Sequence, residues 1–180
     1  MKRLSTQGLV VLLCAFAASS ASCTDPVRDR RIEELPPEDG PGPDHRAGQP
    51  CLLCHSEGGS AELRFAVAGT VFENESPTAR GAPGIVVKFI DGLGRGPTID
   101  PITGPSGNFF VPADDWDPAY PFYVGLYEPG KSEPIQRMVT SVNREGSCNF
   151  CHRKNPETLT PDAIEQQKKS IGQIFARAGR

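Results

Sequence analysis

The chain is poor in the side chains that most often carry chemistry, with three histidines, two methionines and one tryptophan in 180 residues. Histidine is too scarce to suggest a separate catalytic triad. Glycine-rich phosphate loops, HExxH and GxSxG are absent, which removes the common signatures of nucleotide-binding and hydrolytic enzymes. Charge is low as well: the net value of −3 is a poor match for nucleic acid, although lysine-rich protein partners would suit it. Long apolar runs are also missing. The run from Leu9 to Ala18 has ten residues, well short of the roughly 20 that a membrane-spanning helix needs.

That short run has a different use. Lys2 and Arg3 precede it and the small residues Ser19 to Ser22 follow it, which is the layout of a signal peptide over residues 1–22, removed after export. Ser20-Ala21-Ser22-Cys23 resembles a bacterial lipobox, with Ser20 where that family usually has Leu or another large aliphatic residue. The resemblance implies a lipid on Cys23; a conventional cut after Ala21 is the competing reading. Thr24 rather than Asp follows the cysteine, which in proteobacterial lipoproteins points to the outer membrane. The expectation is an exported protein on the periplasmic side, tied to a membrane through its lipid and made more acidic by the loss of Lys2 and Arg3.

Residues 24–50 hold six prolines (Pro26, Pro36, Pro37, Pro41, Pro43 and Pro50) among charged residues and glycines. Such composition predicts an extended, poorly ordered tether over residues 23–50. A single domain is expected over 51–180. Within it, short runs rich in Val, Ile, Phe and Tyr predict strands over 65–72, 84–90, 107–111, 122–127 and 135–142. Pro97, Pro101, Pro105, Pro112 and Pro118 forbid a long helix there. The fold class is therefore mainly β, an antiparallel β-sandwich over 64–142. Gly69-Thr-Val, Val86-Val-Lys-Phe-Ile-Asp91 and Gly104-Pro-Ser-Gly107-Asn-Phe-Phe resemble the transthyretin-like or carboxypeptidase-regulatory-like sandwich, a family that implies a fold and no particular activity. One C-terminal α-helix is expected from Thr160 to Ala178. Thr160 suits its cap and Pro161 its first position, and Ile164, Ile171, Phe175 and Ala178 form an apolar stripe.

The cysteines carry the chemistry. Cys14 leaves with the leader and Cys23 takes lipid, so the remaining four fall into two identical patterns, Cys51-x-x-Cys54-His55 and Cys148-x-x-Cys151-His152. Two thiols at this separation reach the two vinyl groups of one haem, and the next residue is thereby placed under the iron. Both motifs resemble those of c-type cytochromes. The resemblance implies two covalent haem c groups bound by Cys51, Cys54, Cys148 and Cys151, with His55 and His152 as axial ligands. The chain is similar to small exported bacterial proteins that carry a CxxCH motif on each side of such a sandwich. On this reading residues 51–63 and 143–180 are the haem-attachment segments flanking it. A Cys₄ zinc knuckle and disulfides are the alternatives, but neither explains a histidine after both pairs.

Scarcity narrows the second axial position. Outside the motifs, only His45 and Met138 remain after the leader, and each precedes one motif. A solvated histidine and a core methionine are the plainer readings of the two. If Phe65 and Val142 begin and end neighbouring strands, Cys54 and Cys148 come close in space. Trp116 reads as packing, and Asp114, Asp115 and Asp117 as a solvated turn rather than a calcium site. The functional expectation is electron transfer between other redox proteins, with no substrate bond broken. The rivals are a peroxidase-like enzyme or gas sensor with an open iron, and a binding module stapled by haem or zinc.

Overall fold

The computed structural model describes residues 25–35, 40, 42–92, 99–156, 160–162, 165, 168 and 170–177. The expected leader and the lipid site at Cys23 lie outside the described residues. The chain divides into two units, one up to Glu33 and one from Glu34 onward.

In the first unit, Pro26–Glu33 is a helix, contrary to the extended tether expected from composition. Local chemistry accounts for the difference. Pro26 occupies the first helical position, where a missing N–H costs nothing. Asp25 Oδ1 accepts from the N–H groups of Val27 and Arg28 at 3.0 and 3.2 Å. Those backbone bonds, Arg28 first, hold the Asp25 carboxyl below its usual value.

The described residues of the second unit contain five strands: β1 (Phe65–Thr70), β2 (Val86–Asp91), β3 (Asn108–Pro112), β4 (Phe122–Tyr127) and β5 (Pro134–Arg137). β1 and β3 pair antiparallel, and a second antiparallel sheet has the order β2-β4-β5. Residues 99–101 extend that sheet beyond β2, with Phe89 N–H donating to Ile99 O at 3.0 Å and Val87 N–H to Pro101 O at 2.9 Å. Period-two alternation aims Phe109 and Val111 of the first sheet and Val87 and Phe89 of the second into one core. Phe89 lies 5.6 Å from Phe122, edge to face, and 5.5 Å from Trp116. Trp116 is thus a core residue, flanked by the exposed Asp114, Asp115 and Asp117.

Strand β1 departs from alternation, because residues 67–70 are all buried. Its free edge explains why. An unpaired strand edge presents a row of N–H and C=O groups that other backbone can satisfy. Ala68 N–H donates to Gly146 O at 3.0 Å, and just past the strand Phe72 N–H donates to Ile174 O at 2.8 Å while Phe72 O accepts from Ala176 N–H at 2.8 Å. The segment before the second motif and the C-terminal tail therefore cover this edge.

That pairing overturns the expected helix over the tail's last part. Pro161, Asp162 and Glu165 are helical, but residues 170–175 carry no helical structure, and Phe175 bridges Phe72 in parallel. Ile171, placed on the helix's apolar stripe by the sequence, is 68% exposed. Ile164 and Ala178 lie outside the described residues. No helix among the described residues is long and apolar enough to cross a membrane.

Candidate functional site

The two CxxCH motifs fold alike. Pro50 and Ser147, the residues before each first cysteine, are extended, and the chain then makes a single helical turn, a 3₁₀ turn at Cys51–Leu53 and an α turn at Cys148–Cys151. Each turn closes on the first cysteine: His55 N–H donates to Cys51 O at 3.0 Å and His152 N–H to Cys148 O at 2.9 Å. Each histidine is thereby brought back beside its cysteine pair.

The imidazoles are oriented in the same way too. His55 Nδ1 donates to Leu63 O at 2.7 Å, and His152 Nδ1 donates to Gly172 O at 2.9 Å. A carbonyl only accepts, so Nδ1 carries a proton in both rings, and in the neutral form of either ring Nε2 has the lone pair. This is how proteins fix an iron- or zinc-binding imidazole by its second nitrogen. Burial lowers the His152 pKa, against a smaller opposing effect of the Gly172 bond, and so favours the neutral ligand form.

His45 repeats the pattern, since its Nδ1 donates to Gly42 O. Its segment, expected to be part of a disordered linker, is docked on the strands. Asn108 Nδ2 donates to Pro43 O at 3.2 Å and to His45 O at 2.9 Å, and Ser106 N–H donates to Asp44 Oδ1 at 3.0 Å. Composition missed this because the segment has little apolar surface to bury; it is held by its backbone groups. The His45 and His55 rings lie 5.8 Å apart between centroids. Beyond them, Phe65 stacks on His55 at 4.1 Å and on Phe110 at 4.5 Å.

Met138 belongs to the other motif. It follows β5 directly, its N–H donating to Val124 O at 2.9 Å, and it lines a cavity of about 440 Å³ together with Cys148, Cys151 and His152. Val124, Leu126, Val142 and Ile174 form part of an apolar wall. The cavity's lining comes from both sheets, from the segment after β5, from the second motif and from the C-terminal tail. Ser147 also lines it, and its hydroxyl is a buried side-chain group with no partner among the described residues. Such a group is costly unless something in the cavity bonds to it.

No family model, curated protein or solved structure matches this chain.

All four motif cysteines are free thiols. Burial pushes the first thiol of each motif up, Cys51 to about 11 and Cys148 to about 12, with the nearby Cys51 adding to the rise at Cys148. Both stay protonated at neutral pH and are poor thiolate ligands as they stand. Among the described residues, no three of His, Cys, Asp and Glu are grouped to hold a metal ion.

The motifs do approach one another, but by a different route from the one expected. Phe65 and Val142 are not on neighbouring strands: β1 pairs with β3, whereas Val142 bridges Phe122 of β4. Instead, Ser147 bridges Ala68 in parallel, which brings Cys148 against β1. The close approach depends on two glycines. A Cβ on Gly146 would stand 2.1 Å from Ala66 O, and one on Gly69 would stand 2.8 Å from the Cys148 Cβ.

Sequence reasoning missed Thr70, Ser147 and Asn149. Asn149 is one of the two unspecified residues between the cysteines of its motif, and Leu52 holds the same place in the other. Nothing in the pattern distinguishes it.

Proposed function

We propose that the chain is an exported c-type cytochrome with two covalently attached haems, its two sheets forming a β-sandwich between the attachment segments, and that it carries electrons. The observation that carries this reading is the repeated imidazole arrangement, in which His55 and His152 each follow a CxxC turn and are held through Nδ1 by a backbone carbonyl.

The residues present fit such a group. Cys51 with Cys54 and Cys148 with Cys151 would attach the haems, and His55 and His152 would be the first axial ligands. His45, beside His55, would be the second ligand at one iron; Met138, sharing a cavity with His152, would be the second at the other. The cavity volume falls within the range of about 300–1,000 Å³ usual for cofactor sites. Its wall includes the orphaned Ser147 hydroxyl, which a haem carboxylate would satisfy.

Haem supplies one-electron iron chemistry. The chain's part is to choose ligands, exclude water and fix spacing. Methionine at the cavity site would raise the potential of that centre above a His/His partner. The signal peptide would direct export, and the lipid on Cys23 would hold the protein to a membrane on the periplasmic side, facing other redox proteins. The zinc knuckle fares worse, since it needs four converging ligands.

A reductive titration with carbon monoxide tests the carrier role. Protein matured in a host with c-type haem machinery is expected to reduce and reoxidise reversibly at two centres and to bind carbon monoxide poorly. Ready binding at either iron would overturn the carrier role in favour of an enzyme or sensor with an open site.

A further inference from the structure

Between the two motifs lies a buried polar cluster that neither motif needs for attaching a haem. Asn149, fully buried, sits directly after Cys148. Its Nδ2 donates to Gln49 O at 2.9 Å, two residues before Cys51, and to Thr70 Oγ1 at 3.0 Å. Its Oδ1 accepts from Thr70 N–H at 3.2 Å. Thr70, also fully buried, uses its hydroxyl completely: it accepts from Gly48 N–H at 2.8 Å as well as from Asn149, and donates to Asn108 Oδ1 at 2.7 Å. Asn108 in turn donates to His45 O.

A hydroxyl has one proton and two lone pairs, and a primary amide has two protons and an acceptor oxygen. Thr70 Oγ1 and the Asn149 amide therefore have a partner for each donor and at least one for each acceptor. A buried network satisfied to this extent is rigid, and it specifies one arrangement over its competitors. Its three side chains join three separate pieces of chain: the segment carrying His45 and leading into Cys51, the strands β1 and β3, and the turn carrying Cys148. An apolar contact between the same pieces would tolerate sliding; this set of directed bonds does not.

We propose that Asn149 and Thr70 are positioning residues that lock the two attachment motifs to one another, so that the two cofactors form a single pair of fixed relative orientation. This rests on the dihaem reading given above. Gln49 O is the pivot, because it also lies 3.5 Å from the Cys51 thiol. Once that thiol is consumed in attachment, the Asn149 amide remains the donor to this carbonyl from the second motif.

The test uses the full-length, haem-loaded protein and circular dichroism in the Soret region, where two haems of fixed mutual orientation give a paired positive and negative band. Intact mass, measured in parallel, counts the haems. The parent is expected to carry two haems and show the paired band. Asn149→Leu and Thr70→Val should keep both haems and lose the paired band, and Thr70→Ser, which retains the hydroxyl, should restore it. Thr70→Val is nearly isosteric, so it decides the matter if Asn149→Leu fails to accumulate. A parent with two haems and no paired band, or a Thr70→Val protein with the parent's band, would overturn the lock while leaving the dihaem reading intact. A parent without covalent haem would overturn both.

Discussion

At the scale of single residues, the proposed function rests on which atom of each imidazole is left free. All three histidines spend Nδ1 on a backbone carbonyl, so all three present Nε2. From this follows a prediction for the second axial positions. Met138→Ala should open the iron above His152, so that the reduced protein gains a carbon monoxide complex at one centre and the midpoint potential of that centre falls. His45→Ala should open the other. Difference spectra with carbon monoxide read both changes, and a Met138→Ala protein that binds no more of the gas than its parent would remove Met138 from the iron. Ser147 gives a second prediction, for the chain without haem. Its hydroxyl is unpaired there, so Ser147→Ala should leave stability unchanged or raise it by up to about 1 kcal/mol. Urea unfolding of the unloaded protein measures this, and a clear loss of stability would mean that the hydroxyl has a partner in solution.

At the scale of elements, strands were legible and their partners were not. Each of the five expected strands lies within two residues of an observed one at its start, because Val, Ile, Phe and Tyr runs end at Pro, Gly and Asp, and those residues act locally. The tail was misread because its Thr-Pro-Asp opening and apolar spacing favour a helix locally, whereas the free edge of β1 takes residues near Phe175 into pairing. Residues 42–50 were misread for the opposite reason: a composition poor in apolar residues says nothing about backbone carbonyls, and these are bonded by Asn108 and Asn149. His45 and Met138 stand out through scarcity alone, whereas their placement, one ring beside His55 and the other side chain in a cavity with His152, required the fold. The docking of the second motif on β1 is testable here. Gly146→Ala would force a Cβ against Ala66 O at 2.1 Å, and should cost about 1–3 kcal/mol. Phe122→Ala, in the shared core, should cost about 3–5 kcal/mol. Thermal unfolding separates the two further, since the core substitution should act equally on loaded and unloaded protein and Gly146→Ala more strongly on attachment at Cys148.

At the scale of the whole molecule, the second unit places two equivalent turns on one strand and gives them unequal surroundings. One lies beside a ladder of His45, His55, Phe65 and Phe110 rings, and the other opens into an apolar cavity with Met138 on its wall. If the proposed haems are held there, two centres with different ligands and surroundings would have different potentials, which would let a carrier favour one direction of charge transfer. The most direct measurement of the central claim is the intact mass of the denatured protein after maturation in a host with c-type haem machinery, beside Cys51→Ala/Cys54→Ala and Cys148→Ala/Cys151→Ala. The account predicts a covalent gain of two haems for the parent and one for each double variant. A parent whose mass is that of the bare polypeptide, with its cysteines in disulfides or on zinc, would contradict it.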